Sequence, residues 1–225
     1  MTSELIEIPK ALPVMTLRGV VLFPKAMMPL RIFEERYRQM LDEVLNTTRI
    51  FGIVCEREDV AEDEIHLEPP FGVATAGLIR VSKKHDDGTS FVLLQGINRV
   101  KVKGIVQEMP YRIIEAEEIK SIHNDYSQDT RKEIEEALEQ NKLLGGEVTD
   151  EMLEFLNPLD DDDAFVDLAT FTLCRHTLRK QAMLEVEDLS KRASMLLTDL
   201  HRENDRLATI KLMMKKSDEK GLEEN

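Results

Sequence analysis

The alternation of apolar and polar positions changes character near residue 123. Before that point the chain is a series of short apolar runs rich in Val, Ile and Leu, cut by Gly and Pro, which is how strands read. Runs at 12–17 and 20–23 flank a turn at Arg18-Gly19, and another begins after Pro29 at 30–33. Residues 50–55 read as a buried strand. Residues 71–81 carry Gly72 and Gly77, which suggest a bulge or tight bend. Asp87-Gly88 marks a hairpin before a return strand at 91. Residues 99–106 alternate basic and apolar, the pattern of a half-exposed strand, and 111–119 is the last strand expected. One helix interrupts the series at 34–46, where Tyr37, Met40, Leu41, Val44 and Leu45 fall at helical spacing.

Beyond residue 125 the period becomes helical. Residues 130–144 form a helix stopped by Gly145-Gly146, and 149–156 a short one ended by Asn157-Pro158. The acidic run 160–163 precedes a periodic segment at 164–178. Acidic side chains in a first helical turn are stabilised by the helix dipole, so capping explains this run better than a metal site does. A final helix spans 188–216, with Leu189, Ala193, Leu196, Leu200, Leu207, Ile210 and Met214 at alternating steps of three and four, broken by Glu203. That stripe packs on the domain or permits self-association, and the tail from Ser217 is expected to fray. The fold class is therefore α+β: a strongly bent β-barrel of about six strands with one or two helices over 1–122, then an α-helical bundle with a long C-terminal helix over 123–225.

Charge narrows the partners. The 225 residues carry 44 acidic and 30 basic side chains, a net charge of −14. Residues 1–123 hold 16 basic against 19 acidic groups and residues 124–225 hold 14 against 25. Neither half has the basic excess that a phosphate backbone requires, which disfavours nucleic acid. The two cysteines, Cys55 and Cys174, read as small buried thiols in a reducing compartment. The first ten residues contain Glu4 and Glu7 and no long apolar core, unlike a signal peptide. No apolar run approaches the roughly 20 residues needed to span a bilayer. A cytoplasmic location is expected.

Catalytic chemistry is hard to find. Gly72 and Gly77 have phosphate-loop spacing, but Leu78 and Ile79 stand where Lys and Ser or Thr would hold the phosphates and Mg²⁺. The histidines at 66, 85, 123, 176 and 201 are isolated and make no metal spacing with the cysteines. Ser190 and Lys191 are adjacent on a helix and point apart, so they form no Ser/Lys dyad. No cofactor and no metal are expected, and no enzyme.

Several segments, in order, resemble the N-terminal substrate-binding domain of the Lon protease family. Its opening is matched by Leu12, Pro13, Leu17, Arg18, Pro24, Pro29 and Leu30. Residues 72–79 resemble its Gly-Thr-x-Ala-x-Ile strand, with Val73 in place of Thr. Asp87, Gly88, Thr89, Leu94, Gly96 and Arg99 resemble its hairpin and return strand. Lys180, Gln181, Leu184, Glu185, Asp188 and Arg192 resemble the entry to its long helix. The resemblance spans residues 10–215 or so and implies a PUA-like bent barrel followed by a helical bundle. It also implies a free-standing, non-catalytic domain, because the ATPase and peptidase modules of full-length Lon have no counterpart here.

That resemblance gives the expected function: binding apolar segments of unfolded or damaged proteins, as an adaptor or modulator of proteolysis, with a protease or chaperone as a further partner. Pro24 and Pro29 would end one strand and start the next, leaving residues 25–28 at the surface, where methionine suits adaptable binding. The expected contacts are Met27, Met28, Phe33, Tyr37, Pro70 and Phe71, acting by apolar contact and strand-edge pairing. The competing expectation for the two methionines is that they fill the end of the barrel. The alternative function is RNA binding, as other PUA-like barrels do, which the charge disfavours.

Overall fold

A computed structural model of the protein describes residues 6–57 and 68–223. The expected acidic loop at 56–70, His66 included, lies mostly outside the described residues. In chain order the elements are β1 (Ala11–Leu17), β2 (Met27–Ile32), α1 (Glu35–Leu45), β3 (Ile50–Cys55), β4 (Val73–Lys84), β5 (Ser90–Gln107), β6 (Arg112–Glu118), α2 (Gln128–Leu143), α3 (Asp150–Leu156), α4 (Asp162–Leu173), α5 (Thr177–Leu184) and α6 (Leu189–Glu223). They form two compact units. The first holds the described residues up to Lys120 together with Arg175–Glu187, and the second holds Ser121–Cys174 and the chain from Asp188.

The first unit is a mixed sheet in the order β2-β5-β4-β3-β1-β6, and a further β5–β6 pairing closes it. Among the named strands of the described residues, β1 and β3 run parallel and the other pairs antiparallel. Closure depends on β5, whose 18 residues pair with β2 and β4 in their first part and with β6 beyond Val100. A strand that long turns the corner through register shifts, which fall at Ala76/Gly77 and Ile79/Val81 in β4 and at Val102/Gly104 and Ile105/Gln107 in β5. Leu12, Val14, Ile50, Val54, Ala74, Ala76, Val100 and Ile114 form its core cluster.

Residues 20–23 are not a strand as expected. Val21, Leu22 and Phe23 are buried, but their backbone bonds outside any ladder. The Thr75 hydroxyl donates to the Leu22 carbonyl at 2.6 Å, and Lys25, at φ 64°, donates its N–H to the Gly96 carbonyl at 2.9 Å. Pro29 does not separate two strands either. It lies inside β2, which runs straight through it.

The segment expected as one helix over 164–178 breaks at Cys174, whose backbone is extended. Tertiary bonds override the local periodicity. Gln181 Nε2 donates to the Val73 carbonyl at 3.0 Å and Arg99 Nε to the Leu184 carbonyl at 3.0 Å, tying α5 to the barrel strands. Residues 175–187 accordingly group with the barrel unit.

In the second unit every helix start has a capping side chain. Ser127, Thr149, Asp161 and Asp188 accept from the backbone N–H of Thr130, Met152, Ala164 and Lys191. The acidic run is used locally: Asp161 caps α4, Asp162 accepts from Arg131 at 3.0 Å, and Asp163 takes the guanidinium of Arg192. Arg192 is 1% exposed and also lies 3.4 Å from the equally buried Asp167. Leu189, Leu196 and Leu200 are buried within this unit, and Leu207 is half-buried. The stripe expected to permit self-association is thus mostly an internal seam, consumed by packing beside α2 and α4. Asn141 and Asn204, both buried, join α2 to α6 through a 2.9 Å hydrogen bond. The last helix continues to Glu223, past the fray expected at 217.

Two outcomes follow. Arg192→Leu strips the buried Asp167 of its cation and should cost about 3–5 kcal/mol in chemical denaturation. At Gly96 an added Cβ would stand 2.0 Å from the Phe23 carbonyl oxygen, a backbone atom. Gly96→Ala should therefore lower stability by about 1–3 kcal/mol.

Candidate functional site

Among the described residues no group of His, Cys, Asp and Glu is placed to hold a metal ion. Ser190 donates to the Asn124 carbonyl and does not meet Lys191. One concavity in the barrel unit, about 680 Å³, is an open polar groove along α1 lined by Glu35, Arg38, Gln39, Asp42, Glu43, Asn46 and Thr47. Its lining side chains are all polar or charged, whereas ligand clefts are lined mostly by apolar ones.

A different surface stands out. The register places Met27, Pro29 and Arg31 of β2 opposite Gln95, Leu93 and Phe91 of β5. Those in turn face Leu78, Val81 and Lys83 of β4. Three rows result, and the middle one, Pro29–Leu93–Val81, is wholly apolar. Met27 is 40% exposed, Phe91 41% and Val81 48%. The opposite side of the same strands is core, with Met28, Ile32, Ile79, Val92 and Leu94 buried. The face continues the barrel lining, since Leu78 follows Ala74 and Ala76 on one side of β4 and packs against the core cluster.

Arg80 makes this face possible. It occupies the register shift between Ile79 and Val81, and the extra residue carries Val81 outward with Leu93. Its Nε donates to Gln95 Oε1 at 2.6 Å, which lays the guanidinium over the first row. Arg31 stands 3.5 Å from Asp87, and hydrogen bonds from the Thr89 hydroxyl and N–H hold the Asp87 carboxyl below the usual carboxylate range. Lys83 makes no ion pair among the described residues.

β2 is an edge strand, paired to β5 alone among the described residues. Gly96 donates its N–H to the Ala26 carbonyl at 2.9 Å. Antiparallel alternation then turns the backbone of 28, 30 and 32 toward β5 and that of 27, 29 and 31 outward. Pro29 therefore sits where an outward N–H would otherwise be.

The residues expected to bind are only partly brought together. Met27 lies on the face, and Phe33, 63% exposed, follows one residue past β2. Met28 points inward, opposite the buried Leu94. Tyr37 is buried on α1 and donates its hydroxyl to the Thr16 carbonyl at 3.2 Å, and burial pushes its pKa up. Neither offers a side chain to a partner, which corrects both expectations: Met28 by strand alternation, Tyr37 by the apolar side of its helix. Pro70 and Phe71 are half-buried before β4 begins, bridged to Glu56 and Cys55. They lie roughly 30 Å along the strand from Val81 at the usual rise. Pro29, Val81, Phe91 and Leu93 were not expected. The Pro29 edge position was the one available signal.

The α+β fold, with its closed, bent sheet, is found in solved structures. The Lon N-terminal domain protein of Xanthomonas campestris superposes with a TM-score of 0.60 at 22% identity, covering 84% of this chain and 97% of that one. The N-terminal domain of the Mycobacterium avium complex Lon protease superposes with a TM-score of 0.66 at 15% identity, covering 85% and 98%. The chain belongs to the family described as the ATP-dependent protease La (LON) substrate-binding domain, which it matches over residues 11–202. Similar curated proteins include the Lon protease of Clostridioides difficile, 28% identical over 91% of this chain and 27% of that protein. The Lon protease of Escherichia coli is 27% identical over 93% and 26%. The chain spans about a quarter of the length of these relatives.

The two placements predict opposite behaviour. Tyr37→Ala should cost about 3–5 kcal/mol of stability, as large core truncations do. Met27→Ala should change it by less than about 0.5 kcal/mol, as surface changes do. Thermal unfolding of the two variants checks both.

Proposed function

We propose that this protein is a non-catalytic polypeptide-binding module that holds apolar segments of unfolded or damaged proteins and serves proteolysis as an adaptor or modulator. The observation that carries the reading is the three-stranded face around Leu93. It exposes Met27, Phe91 and Val81 on a rigid sheet whose reverse side is core. An apolar patch held open in this way marks a contact surface. Membership of a substrate-binding family supports the same reading, and the match is to that domain alone. Binding by the face is favoured over pairing at the β2 edge, where Pro29 removes a donor. Its partners are unfolded chains and a protease or chaperone that receives them. We place its action in the cytoplasm on the cysteine usage noted above.

Fluorescence anisotropy of a labelled, permanently unfolded polypeptide tests this, with its folded parent as control. Saturable binding to the unfolded form alone is expected. The combined change Met27→Ser, Val81→Ser and Phe91→Ser should weaken it about tenfold or more, as loss of contact residues does, without lowering the melting temperature. Unchanged affinity in that variant would remove this face from the proposal.

A further inference from the structure

Resting on that reading, we infer that the face selects its clients by charge as well as apolarity, taking extended segments in which acidic side chains flank the apolar ones. Three cations border the apolar row. Arg31 and Lys83 stand on either side of Phe91 in the third row. Arg80 lies over the first row through its bond to Gln95. Lys83 has no carboxylate partner among the described residues, and the Arg31 side chain is 71% exposed in its loose pairing with Asp87. This is a positive rim in a chain whose net charge is −14.

Each part of that arrangement acts on a client differently. The chain as a whole is acidic, which disfavours a uniformly acidic client and favours a uniformly basic one. At the face three cations border the apolar contacts. A segment with alternating residues that lies across the rows sets one side chain per row spacing. An aromatic or aliphatic residue on Leu93 then places its neighbours near Arg80 and near Lys83 and Arg31. Carboxylates at those positions find cations, and lysines find like charge, so the rim discriminates by repulsion as well as attraction. A phosphate backbone would be a poorer fit, because the cations are interrupted by an apolar row and do not form a continuous track.

The test uses the full-length protein and three labelled peptides of equal length and identical apolar core, flanked by Glu, by Gln or by Lys. Anisotropy titrations run at low salt and at about 1 M salt, where the Debye length falls to about 3 Å. The Glu-flanked peptide should bind about three- to tenfold more tightly than the Gln-flanked one at low salt, the range that a few exposed ion pairs provide. The Lys-flanked peptide should bind most weakly, and the spread should collapse at high salt. Lys83→Glu should narrow or reverse the order, and Lys132→Glu, on the second unit, should leave it intact. Equal binding of all three peptides, or an order untouched by Lys83→Glu, overturns the charge rule and leaves polypeptide binding standing. Binding of none of them overturns both. Displacement of the Glu-flanked peptide by a single-stranded RNA oligonucleotide, with no preference among the peptides, would reassign the cations to phosphate and overturn the inference.

Discussion

The backbone pairing of β5 is the constraint on which the first unit depends. One strand meets β2, β4 and β6 in turn, so its register fixes the position of three neighbours at once. A long strand satisfies all three only by shedding register at bulges. Those bulges decide which side chains point into the barrel and which emerge at its rim. The close approach of Gly96 to Phe23 belongs to the same system, since it lets residues 20–26 cross beside β5 without a ladder of their own. The exposed face and the core are therefore two sides of one pairing scheme.

The second unit is organised by charge placed where it serves packing. Its acidic excess looks at first like a general surface property. In the structure Asp161, Asp162 and Asp163 each have a local role, as a cap, a partner to Arg131 and a partner to Arg192. Arg131 also lies over the Phe165 ring, 4.3 Å from its centroid, and bonds to the Asn157 carbonyl, joining three helices. Such buried or half-buried ions confer specificity more than stability, because desolvation offsets much of their attraction.

Most of the fold could be read from periodicity, and the reasons for the exceptions are physical. The strands, the α1 helix and the Asp87-Gly88 hairpin followed from spacing and turn chemistry. The β4 face did not. Alternation gives the wrong side for Val81 unless the extra residue at Arg80 is known, and nothing local announces a bulge there. Residues 20–23 have strand composition, but the Leu22 carbonyl takes the Thr75 hydroxyl, and the Lys25 and Ala26 that follow bond to Gly96, pairings far along the chain that no local pattern reveals. The break at Cys174 has no Gly or Pro to mark it. The Leu189–Leu200 stripe was correctly seen as apolar, yet a stripe does not say whether its partner is the same chain or another. Of the surface expected to bind clients, Met27 and Phe33 remain exposed. Met28 and Tyr37 were misplaced by one strand step and by one helix face.

Pro29 carries a further consequence. A protein that handles unfolded chains at an apolar face beside an open strand edge invites them to stack as additional strands, and the sheet would then grow as a fibril does. Pro29 interrupts the outward row of donors midway along β2, and the bulge at Arg80 adds local twist to the sheet behind it. An incoming segment can rest on the face, but it cannot template a continuous ladder. On the function proposed above, the module is in this sense insulated from its cargo, able to hold aggregation-prone sequence without becoming a seed for it.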